Sequence, residues 1–111
     1  MRLRKITAIV RSALIETVEQ HLIAAGVKGI TVTRVKGFGE YSDFYSPDWL
    51  SEHMRIEMFL SAERVDVVCE AIMRAARTGS PGDGVIAVLP LEELYRIRDG
   101  ATATVAATAD V

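Results

Sequence analysis

Two clusters in the chain have the residue types to hold an anion. Thr78-Gly79-Ser80-Pro81-Gly82-Asp83-Gly84 packs three glycines and a proline into seven residues, and the apolar run Val85-Ile86-Ala87-Val88-Leu89 follows at once. Such a stretch cannot continue a helix, so it reads as a tight loop between a helix and a strand. Glycines there turn the chain, and they let backbone N–H groups approach an anion with no side chain in the way. Downstream, Arg96 and Arg98 stand two residues apart in Tyr95-Arg96-Ile97-Arg98. In an extended segment both guanidinium groups leave the same face. A glycine cradle with paired arginines suits a phosphate. The same cluster also fits a plain turn, and the residues alone leave both readings open.

The elements that must position these groups follow from pattern. Arg4 to Arg11 is rich in β-branched residues and bounded by charges, a first strand. Ser12 is placed to cap a helix from Ala13 to Ala25, with Leu14, Val18, Leu22 and Ala25 on one face and Gly26 ending it. His21 has no partner at metal-ligand spacing and reads as a surface or boundary residue. Lys28 to Gly37 has the composition of a second strand. Residues Phe38 to Glu52 carry most of the aromatics without a clean period, as a long functional loop does. Tyr41, Phe44, Tyr45 and Trp49 would there form a contact surface for a protein, or fold back over the sheet edge.

His53 to Leu60 alternates, with His53, Arg55 and Glu57 on one side and Met54, Ile56, Met58 and Leu60 on the other. That is a half-buried strand. Ser61, with Glu63, is placed to cap a second helix, Ala62 to Arg77, whose core stripe is Val65, Val68, Cys69, Ile72, Met73 and Ala76. Val85 to Leu89 is the fourth strand, Pro90 begins a turn, and Tyr95 to Arg98 extends again. The tail from Asp99 is small-residued and reads as frayed. Strand, helix, strand, strand, helix, strand is the order of the ferredoxin-like α+β fold, with an antiparallel sheet. Two helices cover one face of such a sheet. The other face of the first strand is not strongly polar, so an oligomer is expected to bury it.

Bulk properties narrow the function. The chain has 111 residues, half of them hydrophobic, a quarter charged, and a formal net charge of -2. That is one domain with no basic footprint for nucleic acid. Its apolar runs are too short to span a bilayer, and the basic start breaks into polar residues too soon for a signal peptide. The single cysteine, Cys69, reads as a packing residue. These features point to the cytoplasm.

Three blocks in order resemble the PII signal-transduction proteins: Gly29-Ile30-Thr31-Val32-Thr33-Arg34-Val35-Lys36-Gly37-Phe38-Gly39, then Thr78-Gly79-x-x-Gly82-Asp83-Gly84, then Arg96-Ile97-Arg98. The resemblance runs from about Ile6 to Arg98. It implies a PII-like domain over 1–98, an effector loop over 38–52, a tail over 99–111, and a homotrimer with adenine nucleotides in the clefts between subunits. It further implies that Ile9, Gly37, Phe38 and Gly39 line the pocket, that Phe59 lies near the adenine, and that Gly82, Asp83 and Gly84 form the phosphate-side loop. From the neighbouring subunit, Gly29, Ile30 and Thr31 would clamp the base while Arg96 and Arg98 reach the phosphates. The effector loop, with Tyr41, Phe44, Tyr45 and Trp49, would dock on a target protein.

The departures from that pattern shape the expectation. Val85 stands where the family usually has a lysine for the outer phosphates. Glu40 and Tyr41 replace the usual Arg-Gln, and His53 replaces the lysine that grips 2-oxoglutarate. The effector loop is shorter and lacks the context of a nucleotidylated tyrosine. The expectation is a PII-like regulator favouring ADP or AMP over ATP, with an effector such as bicarbonate and a target such as a membrane transporter. The alternative is a metal-binding trimer of similar fold, using His53 with Asp43, Asp48 or Glu52. No Ser-His-Asp set, supported Cys-His pair or Walker lysine marks an enzyme.

Overall fold

The computed structural model describes residues 2–37 and 51–102. Phe38, Gly39, Glu40, Tyr41, Asp43, Phe44, Tyr45, Asp48 and Trp49, with the tail beyond 102, lie outside the described residues. Four strands and two helices alternate as the sequence order requires: β1 (Leu3–Arg11), α1 (Ile15–Ala24), β2 (Thr31–Gly37), β3 (Ser51–Ser61), α2 (Val65–Ala76) and β4 (Val85–Leu91). The sheet order is β2-β3-β1-β4 with every neighbouring pair antiparallel, which is the ferredoxin-like α+β fold.

The alternation in the central strands builds the core. Ile6, Ala8 and Val10 of β1 lie beside Met58, Ile56 and Met54 of β3, on one face. Val18 and Leu22 of α1 and Val68, Ile72, Ala75 and Ala76 of α2 cover that face. Cys69 packs against this cluster as a small apolar residue, and burial pushes its thiol up. Met73, expected in the stripe, is 37 % exposed, and Ala75 is buried in its stead. The helical phase that turns Val68, Ile72 and Ala76 inward leaves Met73 at the margin of α2.

The helix starts differ from expectation. Each chain segment leaves its strand through a one-turn 3-10 helix, Ser12–Leu14 and Ala62–Arg64, so the α-helical cap positions fall at Leu14 and Arg64. Neither Ser12 nor Ser61 caps with its side chain. The Ser12 hydroxyl instead donates to the Glu52 carbonyl at 3.2 Å. The end of α1 follows expectation: Gly26 is left-handed (φ 89°), and its N–H and that of Val27 bond the carbonyls of Ile23 and Leu22. Strand β4 runs through Pro90 to Leu91. An edge strand tolerates proline because only one side of its ladder is paired.

The face that the helices leave uncovered is mixed. Ile9, Phe59, Val85 and Leu89 share it with an ion cluster in which Lys5 meets Glu57 at 2.6 Å and Arg55 meets Glu57 at 3.1 Å. The bond from Lys5 leads the causes that hold the Glu57 carboxyl below its ordinary range. Val85 and Leu89 are 41 % and 42 % exposed there.

The core placement has a direct consequence for stability. Ile56 is fully buried in a central strand, so Ile56→Ala should cost about 2–5 kcal/mol in denaturant unfolding. Ile23, which is 71 % exposed on α1, should tolerate Ile23→Ala within about 0.5 kcal/mol.

Candidate functional site

The loop between α2 and β4 lies directly on β1. At Gly84, whose φ is +104°, an added Cβ would sit 1.7 Å from the Ile9 carbonyl oxygen. No side chain fits there, so glycine is a requirement of the packing. One residue later Val85 pairs with Ile9 and the sheet ladder begins.

Asp83 closes the loop on itself. Its carboxylate accepts from the N–H of Thr78 at 2.8 Å, the N–H of Gly79 at 2.9 Å and the Thr78 hydroxyl. Arg11 adds its Nε–H at 3.2 Å, and its Nη2 donates to the Pro81 carbonyl at 2.8 Å. Burial alone would raise the Asp83 carboxyl. The bonds from Thr78, Gly79 and Arg11 together outweigh it and hold the pKa down to about 2. The N–H groups of Thr78 and Gly79 are thus spent on Asp83.

His53 lies on the face that the strand pattern gave it, but its burial was not legible there. It shares the face of Arg55 and Glu57, yet it is 2 % exposed, because the glycine loop closes over that end of the sheet. Its Nε2 lies 2.9 Å from the Gly82 carbonyl. Of the partners expected for it at a metal, Asp43 and Asp48 lie outside the described residues. Among the described residues no three of His, Cys, Asp and Glu come together.

The predicted site residues are spread over several places. Ile9, Asp83 and Gly84 line a cleft of about 290 Å³ together with Met73, Arg77 and Val85, at the start of β4. Buried Gly82 adjoins it in the loop. Gly29 and Ile30 line a second cleft, of about 310 Å³, beside Ile23, Lys28 and Val32. Thr31 opens β2 close by, at the opposite edge of the sheet from β4. Gly37 ends β2 at the same end of the sheet as the glycine loop but on the far edge, paired with Ser51. Phe59 is half-buried on the uncovered face, opposite Lys5.

Arg96 and Arg98 follow the other end of β4, whose seven residues span about 20 Å. Their segment is not extended. Tyr95 bridges Thr102, and the N–H of Gly100 bonds the Arg96 carbonyl at 2.7 Å, so residues 96–101 form a turn. The turn replaces the expected strand because Asp99 accepts from Arg96 at 2.9 Å and from the Ala101 N–H at 2.9 Å, and Gly100 supplies a positive φ. Within this chain, therefore, Gly29, Ile30 and Thr31, the glycine loop and the arginines do not meet.

Sequence reasoning missed Arg11, and it missed that His53 holds the loop. Arg11 looked like the charged end of a strand. The signal that could have found both is their register, since Arg11 pairs directly with His53 across β1 and β3.

With this geometry in place, the chain can be set beside known proteins. A family model described as nitrogen regulatory protein P-II matches residues 3–101. The nitrogen regulatory protein P-II of Cereibacter sphaeroides is 39% identical over 108 residues, covering 90% of this chain and 96% of that protein. That of Azospirillum brasilense is 40% identical over 106 residues, covering 88% and 94%. Among solved structures, the crystal structure of Arabidopsis thaliana PII bound to citrate is similar with a TM-score of 0.78 and 34% identity, over 91% of this chain and 85% of that one. No helix among the described residues is long and apolar enough to cross a membrane.

The Asp83 network should be visible in acid. Its folded pKa of about 2 lies below the ordinary 3.8, so its contribution is fully present above pH 3.8 and is lost as pH falls through 2. Stability measured against pH should fall over that window in the native protein, and Asp83→Asn should flatten that part of the profile.

Proposed function

The chain belongs to the nitrogen regulatory protein P-II family, and on that footing we propose that it is a non-enzymatic cytoplasmic regulator that binds an adenine nucleotide between the subunits of a homotrimer. The nucleotide state sets how the loop over 38–52 engages a protein target, a membrane transporter or a protein of carbon or nitrogen metabolism. One observation carries the reading. Gly29–Thr31 and the glycine loop lie on opposite edges of one sheet, and Arg96 and Arg98 lie at the opposite end from that loop. A site that uses all three needs neighbouring copies to supply them. The uncovered face, with Ile9, Phe59, Val85 and Leu89, is the surface such copies would bury.

In this assignment Ile9, Gly37, Phe38, Gly39, Phe59, Gly82, Asp83 and Gly84 come from one subunit. Gly29, Ile30, Thr31, Arg96 and Arg98 come from the next. Tyr41, Phe44, Tyr45 and Trp49 meet the target. Val85 brings no charge where the family pattern has a lysine, and Arg11 beside it is engaged by Asp83. That favours ADP or AMP over ATP. His53, held on Gly82, is not placed to grip a dicarboxylate as the family's lysine does, so bicarbonate is the effector to test first.

Calorimetric titration with AMP, ADP and ATP, each with and without Mg²⁺, bicarbonate and 2-oxoglutarate, checks this directly. ADP or AMP should bind more tightly than ATP. Arg96→Ala should leave the fold intact and weaken binding by about 1.5–3 kcal/mol. A protein that takes up none of the three nucleotides would sink the proposal.

A further inference from the structure

The glycine loop receives side-chain bonds at three successive residues from one pair of neighbours. Arg11 donates to the Pro81 carbonyl at 2.8 Å and to the Asp83 carboxylate at 3.2 Å. His53 lies 2.9 Å from the Gly82 carbonyl. A carbonyl only accepts, so the His53 Nε2 carries the hydrogen. The two donors are cross-strand partners on the same face of the sheet, and His53 is almost fully buried.

This arrangement fixes the direction of two peptide planes. The Pro81 carbonyl shares its plane with the N–H of Gly82, and the Gly82 carbonyl shares its plane with the N–H of Asp83. In a trans peptide the C=O and N–H point opposite ways, and the described residues contain no cis bond. Both carbonyls are drawn toward the sheet, so both N–H groups are turned away from it. Left-handed glycines at Gly82 and Gly84 let the chain hold that sequence of planes.

We propose that Arg11 and His53 form a positioning pair, which holds the carbonyls of Pro81 and Gly82 so that the N–H groups of Gly82 and Asp83 face an anionic phosphate. The inference rests on the reading that this loop meets the phosphate of a nucleotide. It assigns to the pair a task that neither residue's position in a strand would suggest. Arg11 also offsets the charge of Asp83, which would otherwise repel an anion at the same loop.

The test compares AMP with adenosine, which differ by the phosphate alone, in the native protein and in Arg11→Met, His53→Leu and His53→Gln. Amide NMR shifts of Gly82 and Asp83 are followed during titration with AMP and with inorganic phosphate. Both amides should move in the native protein. Arg11→Met and His53→Leu should each lower AMP affinity roughly ten-fold with adenosine affinity unchanged, the size of one lost bond to a charged group. His53→Gln, which keeps an N–H donor, should recover most of it. A merely structural role would lower both affinities or the melting temperature and leave their ratio alone. If His53→Leu does not fold, Arg11→Met at the loop's edge carries the same comparison.

An unchanged ratio of AMP to adenosine affinity in the folded variants would overturn the pair's role. So would Gly82 and Asp83 amides that respond to neither AMP nor phosphate in the native protein. If the native protein binds neither AMP nor adenosine, but phosphate moves its amides and not those of the variants, the nucleotide reading fails and the positioning pair stands.

Discussion

The approach of Gly84 to the Ile9 carbonyl is the constraint on which the rest of the site depends. A Cβ there would lie 1.7 Å from that oxygen, so any other residue would lift the loop from β1. Val85, the next residue, starts the ladder opposite Ile9. The same contact therefore sets where β4 begins and how low the loop lies. On the other side, Asp83 ties back to Thr78 and Gly79, just past the end of α2. The loop is short, anchored at both ends and closed across its middle.

Charge follows from that closure. Asp83 would be a poor neighbour for a phosphate if its carboxylate faced outward unpaired. Instead it is satisfied by backbone N–H groups and by Arg11, and the pair is locally neutral. What the loop has left to offer an anion is backbone dipole, with no side-chain cation at Val85. Oriented backbone N–H groups can hold one phosphate well. They supply less for each further phosphate than a lysine would. The preference proposed for ADP or AMP is thus the balance of an unchanged cradle and a missing point charge.

Much of this was legible in the sequence because periodicity and glycine chemistry are local signals. The alternation of Ile6, Ala8 and Val10 and of Ile56, Met58 and Leu60 gave both central strands, and Gly26 and the 78–84 cluster gave two turns. The illegible parts depend on partners that pattern alone does not weigh. Alternation placed His53 with Arg55 and Glu57, and it does share their face. Its burial depends on a loop 29 residues later in the chain closing over it. Serines 12 and 61 have cap chemistry but stand one 3-10 turn too early. The spacing of Arg96 and Arg98 suits a strand, while Asp99 and Gly100 just beyond them make a turn. For His53 the deciding partner lies far along the chain, while for the arginine pair near neighbours overrode a correct strand preference.

The same partners connect the two ends of the proposed mechanism. Strand β3 leaves the 38–50 segment at Ser51, and its next two residues are both tied down. The Glu52 carbonyl accepts from Ser12, and the His53 ring holds Gly82. The glycine loop and the start of β3, where the proposed effector loop ends, are therefore one bond apart, through a residue on a central strand of the sheet. A displacement of the Gly82 peptide must either break that bond or move the His53 side chain. Since β3 is held by β1 and β2 on both sides, the strand itself has little freedom to follow. On the proposed reading, nucleotide binding would be felt at the base of the effector loop through the orientation of His53, with no bending of the sheet required.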